Sequence, residues 1–224
     1  MMLLAQYSDS AFPVGSFTFS NGLESAAYHG IVHDASTLES FVRAVMTQSA
    51  FTDGVAALHA WDAVDAEDYD AMKRFDALLM TSKMSLEARV MSRRMGRRLS
   101  ELAAVFYPAD EMLGRWLTDM KNGVVEGSFP VSQGLLFHLS GLGKRPLFAA
   151  NQYGVVNMLL NAALRCVKVS HFDTQRILMG LCSESAELYE EVRDTPLEEM
   201  HSFAPQVDLC ASLHEKGTVR MFMS

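Results

Sequence analysis

Apolar residues recur at intervals of three and four through almost the whole of this chain, and no stretch alternates with period two beside a hairpin signal. That periodicity constrains the fold more than any single motif, because an apolar helical stripe must be buried against another element and the sequence offers no sheet. Leu38, Phe41, Val42, Val45 and Met46 form one stripe, behind a candidate capping box of Ser36 and Glu39. A short helix is predicted over 55–64, then an acidic turn at 65–68, and Tyr69, Met72, Phe75 and Leu79 mark the next helix. The clearest long helix covers 85–106, with Met91, Met95, Leu99, Leu102 and Phe106 on one stripe and Pro108 beyond its end. Met112, Leu113, Trp116, Leu117 and Met120 give another amphipathic segment, and residues 122–128 a loop. Pro130 opens a helix that stops within 141–146, and two long helices come after it over 147–169 and 173–192. The expectation is an all-α, single-domain bundle of about nine or ten helices. It spans 1–204 with a shaped loop at its start, and 205–224 form a C-terminal tail.

The first two dozen residues break the pattern. SDSAFPVGSFTFSNGLE, residues 8–24, is too apolar for a disordered tail and too interrupted by Pro13, Gly15 and Gly22 for a long helix. A loop opening one or two short helices is expected, with Ser20 or Asn21 placed to cap the helix that begins after it. On physical grounds alone it is an N-terminal plug that closes a hydrophobic core.

Composition sets limits on partners. Of 224 residues, 49% are hydrophobic and 21% charged, which describes a globular chain rather than a disordered one. Fifteen methionines suit helix–helix contacts or an adaptable interface. Nineteen basic against twenty-seven acidic side chains leave a net charge of −8, which does not recommend nucleic acid or an anionic membrane as partner. Residues 146–164 make an uncharged run of membrane-spanning length, but Asn151, Gln152, Asn157 and Asn161 would be costly in lipid, so a buried central helix is expected. Cys166, Cys182 and Cys210 form no C-x-x-C pair and are odd in number, as suits a reducing compartment. The N-terminus lacks the basic region of a signal peptide, and the expected location is the cytoplasm.

Catalytic signatures are missing. The run Gly141-Leu142-Gly143-Lys144-Arg145 fails the phosphate-loop pattern, with His138 in place of glycine and Arg145 in place of Ser or Thr. His29 and His33 are four apart, but two ligands without a Glu between them or a Cys cluster nearby do not make a metal site. Neither a catalytic residue nor a metal ligand nor a cofactor is expected. Five arginines, Arg89, Arg93, Arg94, Arg97 and Arg98, crowd the 85–106 helix; they are either a solvated face or a docking face for an acidic protein surface. Mid-helix Gly96 costs roughly 1 kcal/mol against alanine, which a close backbone contact would rationalise.

Four segments carry a family resemblance. Asp9, Pro13, Val14, Gly15, Ser16, Phe17, Ser20, Gly22, Leu23 and Glu24 meet the pattern D-x-x-x-P-[VI]-G-[SA]-[FY]-x-x-S-x-G-L-E, with Phe19 and Asn21 as less usual members. Glu87, Arg89, Met95, Gly96 and Arg98 meet E-x-R-x5-[ML]-G-x-R. Arg165 takes a basic position ahead of a P-L-[GS]-Q-x-x-G-Q-[RK] segment, of which Gln175 and Arg176 are the final pair while Lys168, His171 and Thr174 depart from it. Pro205, Asp208, Leu209, His214, Glu215, Arg220, Phe222 and Ser224 echo a terminal pattern ending H-E-x-x-x-x-R-[LM]-[FY]-x-S. By these residues the chain resembles the urease accessory protein F (UreF) family.

The resemblance implies a non-catalytic scaffold that joins the accessory protein UreD, also called UreH, to the GTPase UreG for nickel delivery to apo-urease. It also implies a capacity to form homodimers. The partner-contacting residues it implies are Pro13, Gly15, Ser16, Phe17, Ser20, Gly22, Glu24, Arg89, Arg98, Arg165, Gln175, Arg176, His214, Glu215, Arg220, Phe222 and Ser224. The residues by themselves leave two other readings open: a helical enzyme without a short motif, and a nucleic-acid module using the arginine face, against which the net charge argues. The tail either packs on its own bundle or orders on a partner.

Overall fold

In the computed structural model, which describes residues 1–15, 19–214 and 221–222, the stripes of the sequence are helices joined by short turns. In chain order they are α1 (Met2–Ser8), α2 (Leu23–Tyr28), α3 (Ala35–Ser49), α4 (Val55–Asp65), α5 (Tyr69–Ser82), α6 (Leu86–Phe106), α7 (Glu111–Asn122), α8 (Phe129–Leu139), α9 (Lys144–Cys166), α10 (His171–Val192) and α11 (Pro205–His214). A π-helical turn, Ala50–Gly54, runs α3 into α4, and a 3-10 turn, Leu197–Glu199, precedes α11. Among the described residues there is no strand, so the all-α, single-domain expectation holds. The helix beyond the expected number is α11, inside the segment read as a tail.

Start signals are local. Asp68, Ser85 and Asp110 each accept the backbone N–H three residues on, at 2.9, 3.1 and 2.8 Å, satisfying a donor the helix itself cannot. Two expected caps are corrected. The box at α3 is Asp34 with Thr37, not Ser36 with Glu39: Thr37 N donates to Asp34 Oδ1 at 2.8 Å and Asp34 N to Thr37 Oγ1 at 3.1 Å. The extended backbone that a cap needs falls at Asp34, so Glu39 lies inside the helix and pairs with Arg43 at 2.7 Å. At α2 the cap is Gly22 at φ +82°, with no side-chain hydrogen bond, because the turn over Asn21 and Gly22 is left-handed. Pro146 sits in the first turn of α9, where its missing N–H costs nothing.

Two main clusters share α9. One is built largely on α4, α5, α7 and α8 around Trp116, Phe137 and Phe148. Here α4 and α8 approach closely: a Cβ on Gly134 would stand 2.7 Å from the Ala57 carbonyl oxygen. The other gathers α2, α3, α9, α10 and α11 around Leu38, Val42, Met46, Leu159 and Ile177. The expected buried central helix is therefore α9, and its amides find partners inside: Asn151 donates to Gln133 at 3.0 Å and Gln152 to Asn151 at 3.1 Å. No helix among the described residues is long and apolar enough to cross a membrane.

Candidate functional site

Both ends of the chain meet on α6. Glu24 in the first turn of α2, Glu87 in the first turn of α6 and His214 at the end of α11 come from three segments far apart in sequence. The His214 ring is 4% exposed and lies between the two carboxylates. Nδ1 is 3.0 Å from each Glu87 oxygen, and Nε2 is 2.8 Å from Glu24 Oε2. Glu24 also accepts two backbone N–H groups from beyond α11, Met221 at 2.7 Å and Phe222 at 3.2 Å. Burial alone would raise the Glu24 carboxyl, but the Met221 N–H, His214 and the Phe222 N–H outweigh it and hold the group below its ordinary value.

Packing closes around this clasp. A Cβ on Gly22 would stand 2.8 Å from the Ala211 amide nitrogen, so α2 and α11 touch through bare backbone. Phe222 is 5% exposed and belongs to the cluster of α2, α3, α9, α10 and α11, so its ring anchors the chain end to its own bundle. The Arg165 guanidinium, exposed at the end of α9, lies 5.4 Å from the Phe222 ring centroid in a cation–π contact. Burial first, and then the Glu24 charge, push the Cys166 thiol up to about 11.

The arginine helix is held by its own chain. Arg89 donates to the Lys83 and Met84 carbonyls and closes the α5–α6 connection. Arg93 pairs with Glu126, while Arg97 and Arg98 share Glu101 at 3.2 and 2.9 Å. Met95 packs with Phe19 and Met158. Gly96 meets backbone: a Cβ there would stand 2.1 Å from the Gly127 carbonyl oxygen and 2.6 Å from the Ser128 carbonyl carbon.

A family model described as UreF matches residues 32–182. The chain is 45% identical to Urease accessory protein UreF 2 of Brucella canis, over all of its own length and 92% of that relative. To Urease accessory protein UreF of Yersinia pseudotuberculosis it is 38% identical, over 99% of its own length and 97% of the other. The chain belongs to the UreF family. Its members are accessory proteins, and the expectation of a non-catalytic chain is met by that membership.

In this UreF-family chain the first, second and fourth signatures converge on the clasp, through Glu24, Glu87 and His214, and the third joins them through Arg165. Ser20 is fully buried beside α2, while Pro13 and Gly15, the latter at φ +85°, are exposed ahead of it. The structure does not bring Arg98, Gln175 and Arg176 to the clasp: all three are exposed on the outer faces of α6 and α10, and Arg176 faces Asp173 at 3.4 Å. Ser16, Phe17, Glu215, Arg220 and Ser224 lie outside the described residues. Residues 205–214, expected as the start of a docking tail, form α11 instead and pack on α2, α3 and α6, because Val207, Cys210 and Ala211 present an apolar edge to Gly22 and Leu23. His33 bonds the Gly30 carbonyl in an exposed loop. Among the described residues, no group of three His, Cys, Asp or Glu is placed to hold a metal ion.

One residue escaped sequence reading. Asp76, 1% exposed, accepts the N–H groups of Glu126, Gly127 and Ser128 at 2.8, 2.9 and 2.8 Å, and so fixes the loop that Gly96 abuts. Burial pushes its carboxyl above the usual range against the pull of those donors. The one signal in the sequence was a single carboxylate set next to Phe75 in the stripe of α5.

Proposed function

We propose that this chain is a scaffold of urease maturation, joining UreD (UreH) to the GTPase UreG so that GTP-dependent nickel insertion into apo-urease can proceed in the cytoplasm. One observation carries the reading. The only buried imidazole–carboxylate cluster among the described signature residues has each ring nitrogen committed to a carboxylate on the opposite side, so no atom is left over to attack a substrate and no common point exists for a metal. A signature that builds shape rather than chemistry suits a protein whose work is contact with other proteins. The side chains left for such contacts are exposed: Pro13, Arg98, Arg165, Gln175 and Arg176, together with Leu209 and Leu213 on the outer edge of α11. The segment beyond α11 is the part of the chain we assign to UreD, and the chain can also form a homodimer in this reading.

Co-expression with UreD, UreG and the urease apoprotein, then size-exclusion chromatography with mass determination, tests this. Co-elution of this chain with both accessory partners is the expected result, and the purified chain alone should hydrolyse neither GTP nor urea. Turnover by the isolated chain, or elution apart from UreD and UreG, overturns the proposal.

A further inference from the structure

Each ring nitrogen of His214 faces carboxylate oxygens, and a carboxylate only accepts. A neutral imidazole has one donor and one bare lone pair, so in this geometry its lone pair would stand about 3 Å from an anionic oxygen, inside the protein and without water between them. The imidazolium, by contrast, donates from both nitrogens. We propose that the Glu24–His214–Glu87 clasp is a proton-dependent latch: it fastens α11 and the Met221–Phe222 pair to α2 and α6 while His214 carries its second proton, and lets them go when that proton leaves.

The described surroundings fit a latch that responds to this proton. Facing the ring among the described residues are Glu24 from α2 and Glu87 from α6. From α9 the Arg165 guanidinium covers the Phe222 ring at 5.4 Å and stays charged throughout, while the Cys166 thiol, pushed up to about 11, stays neutral where histidines titrate. From α3 the partner is uncharged Gln48, which donates to Asp208 of α11 at 3.3 Å, and Asp208 also accepts the Ser202 hydroxyl at 3.1 Å. Glu24 links the proton to the chain end, since the carboxylate that holds Nε2–H also receives the Met221 and Phe222 amides. Loss of the proton places two acceptors face to face on one side of the ring, and turning Glu24 away takes the Met221 and Phe222 amides with it. The direction is therefore fixed: the latch is closed at lower pH and opens as pH rises. It belongs to this chain's own end and works in the same way whichever partner that end meets.

The test uses the full chain. Long-range proton–nitrogen correlation spectra of the histidine-labelled protein report both His214 nitrogens, and hydrogen exchange, normalised to intrinsic rates, reports the Met221 and Phe222 amides. At about pH 6 both nitrogens should be protonated and both amides protected. As pH rises, protection should fall by up to about tenfold per unit, because the open form releases a proton that the closed form keeps. The variant Glu87→Gln should abolish that fall, because the introduced amide can donate to a bare Nδ1 and satisfy the neutral ring. A bare ring nitrogen with both amides protected, or a Glu87→Gln protein whose protection falls as in the parent, overturns the latch. If Glu87→Gln does not fold, the coupling of ring proton to amide protection in the parent protein decides the matter alone.

Discussion

Asp76 shows how much one side chain can organise. Its oxygens take three consecutive backbone N–H groups that would otherwise lie buried and unmatched, and a hydrogen bond to a charged acceptor contributes about 1.5–3 kcal/mol. Asp76→Ala should therefore cost about 3 kcal/mol or more in urea unfolding, and Asp76→Asn less, because an amide oxygen still accepts. At Gly96 the usual expectation reverses. Alanine is the better helix former by about 1 kcal/mol, yet its methyl would collide with the Gly127 carbonyl. Gly96→Ala should accordingly destabilise by about 2 kcal/mol, read as a lower urea midpoint. Glu24 adds a pH signature. Its carboxyl is held below the ordinary value, so its contribution is complete above about pH 4.3 and is lost as pH falls through the lower folded value. The stability gap between the parent and Glu24→Gln should close on acidification; a gap that widens there would contradict the assignment. The raised Asp76 carboxyl works with the opposite sign, costing stability as pH rises above the usual carboxylate range.

Among the elements, α11 is the informative case. Its neighbours were legible by plainer signals: amphipathic stripes in α3, α5, α6 and α7, a proline at the start of α8, and a long uncharged apolar run in α9. Residues 205–214 state their period weakly: Leu209 and Leu213 point outward while Val207, Cys210 and Ala211 point in, so both faces are apolar and the pattern does not choose. Pro205 occupies the first helical position, where proline is at home. The capping error at α3 has the same root, since Asp34 and Ser36 are both good caps and only the backbone decides between them. Because α11 supplies part of the second cluster, truncation after Ala204 should lower the melting temperature by several degrees rather than leave it untouched. Phe222→Ala should act more mildly on the melt but loosen α11, which limited proteolysis would register as faster cleavage near the C-terminus.

At the scale of the molecule, the family signatures were legible as words before their meaning was. Glu87 sat in a motif without a role until the fold laid it against His214, 127 residues away, and no local spacing encodes such a meeting. Asp76 was illegible for the same reason, its three donors lying 50 to 52 residues on. The exposed pair Gln175 and Arg176 is the converse, a motif with little structural duty. Arg176→Ala should leave the melting temperature unchanged, as surface substitutions do, while lowering urease activation in cells; a matching fall in stability would assign Arg176 to the fold instead.

The clasp also has a consequence for how the chain is made. Glu24 emerges from the ribosome 190 residues before His214, a wait of roughly 10–40 s at ordinary elongation rates. Throughout synthesis the N-terminal signature therefore has a carboxylate without its imidazole and a glycine turn without the helix that covers it. Vectorial folding can build α3 through α10 as they appear, but the first motif is finished only once α11 has been translated. A nascent chain stalled before α11 will present an open N-terminal face to whatever is nearby, and a completed one will not.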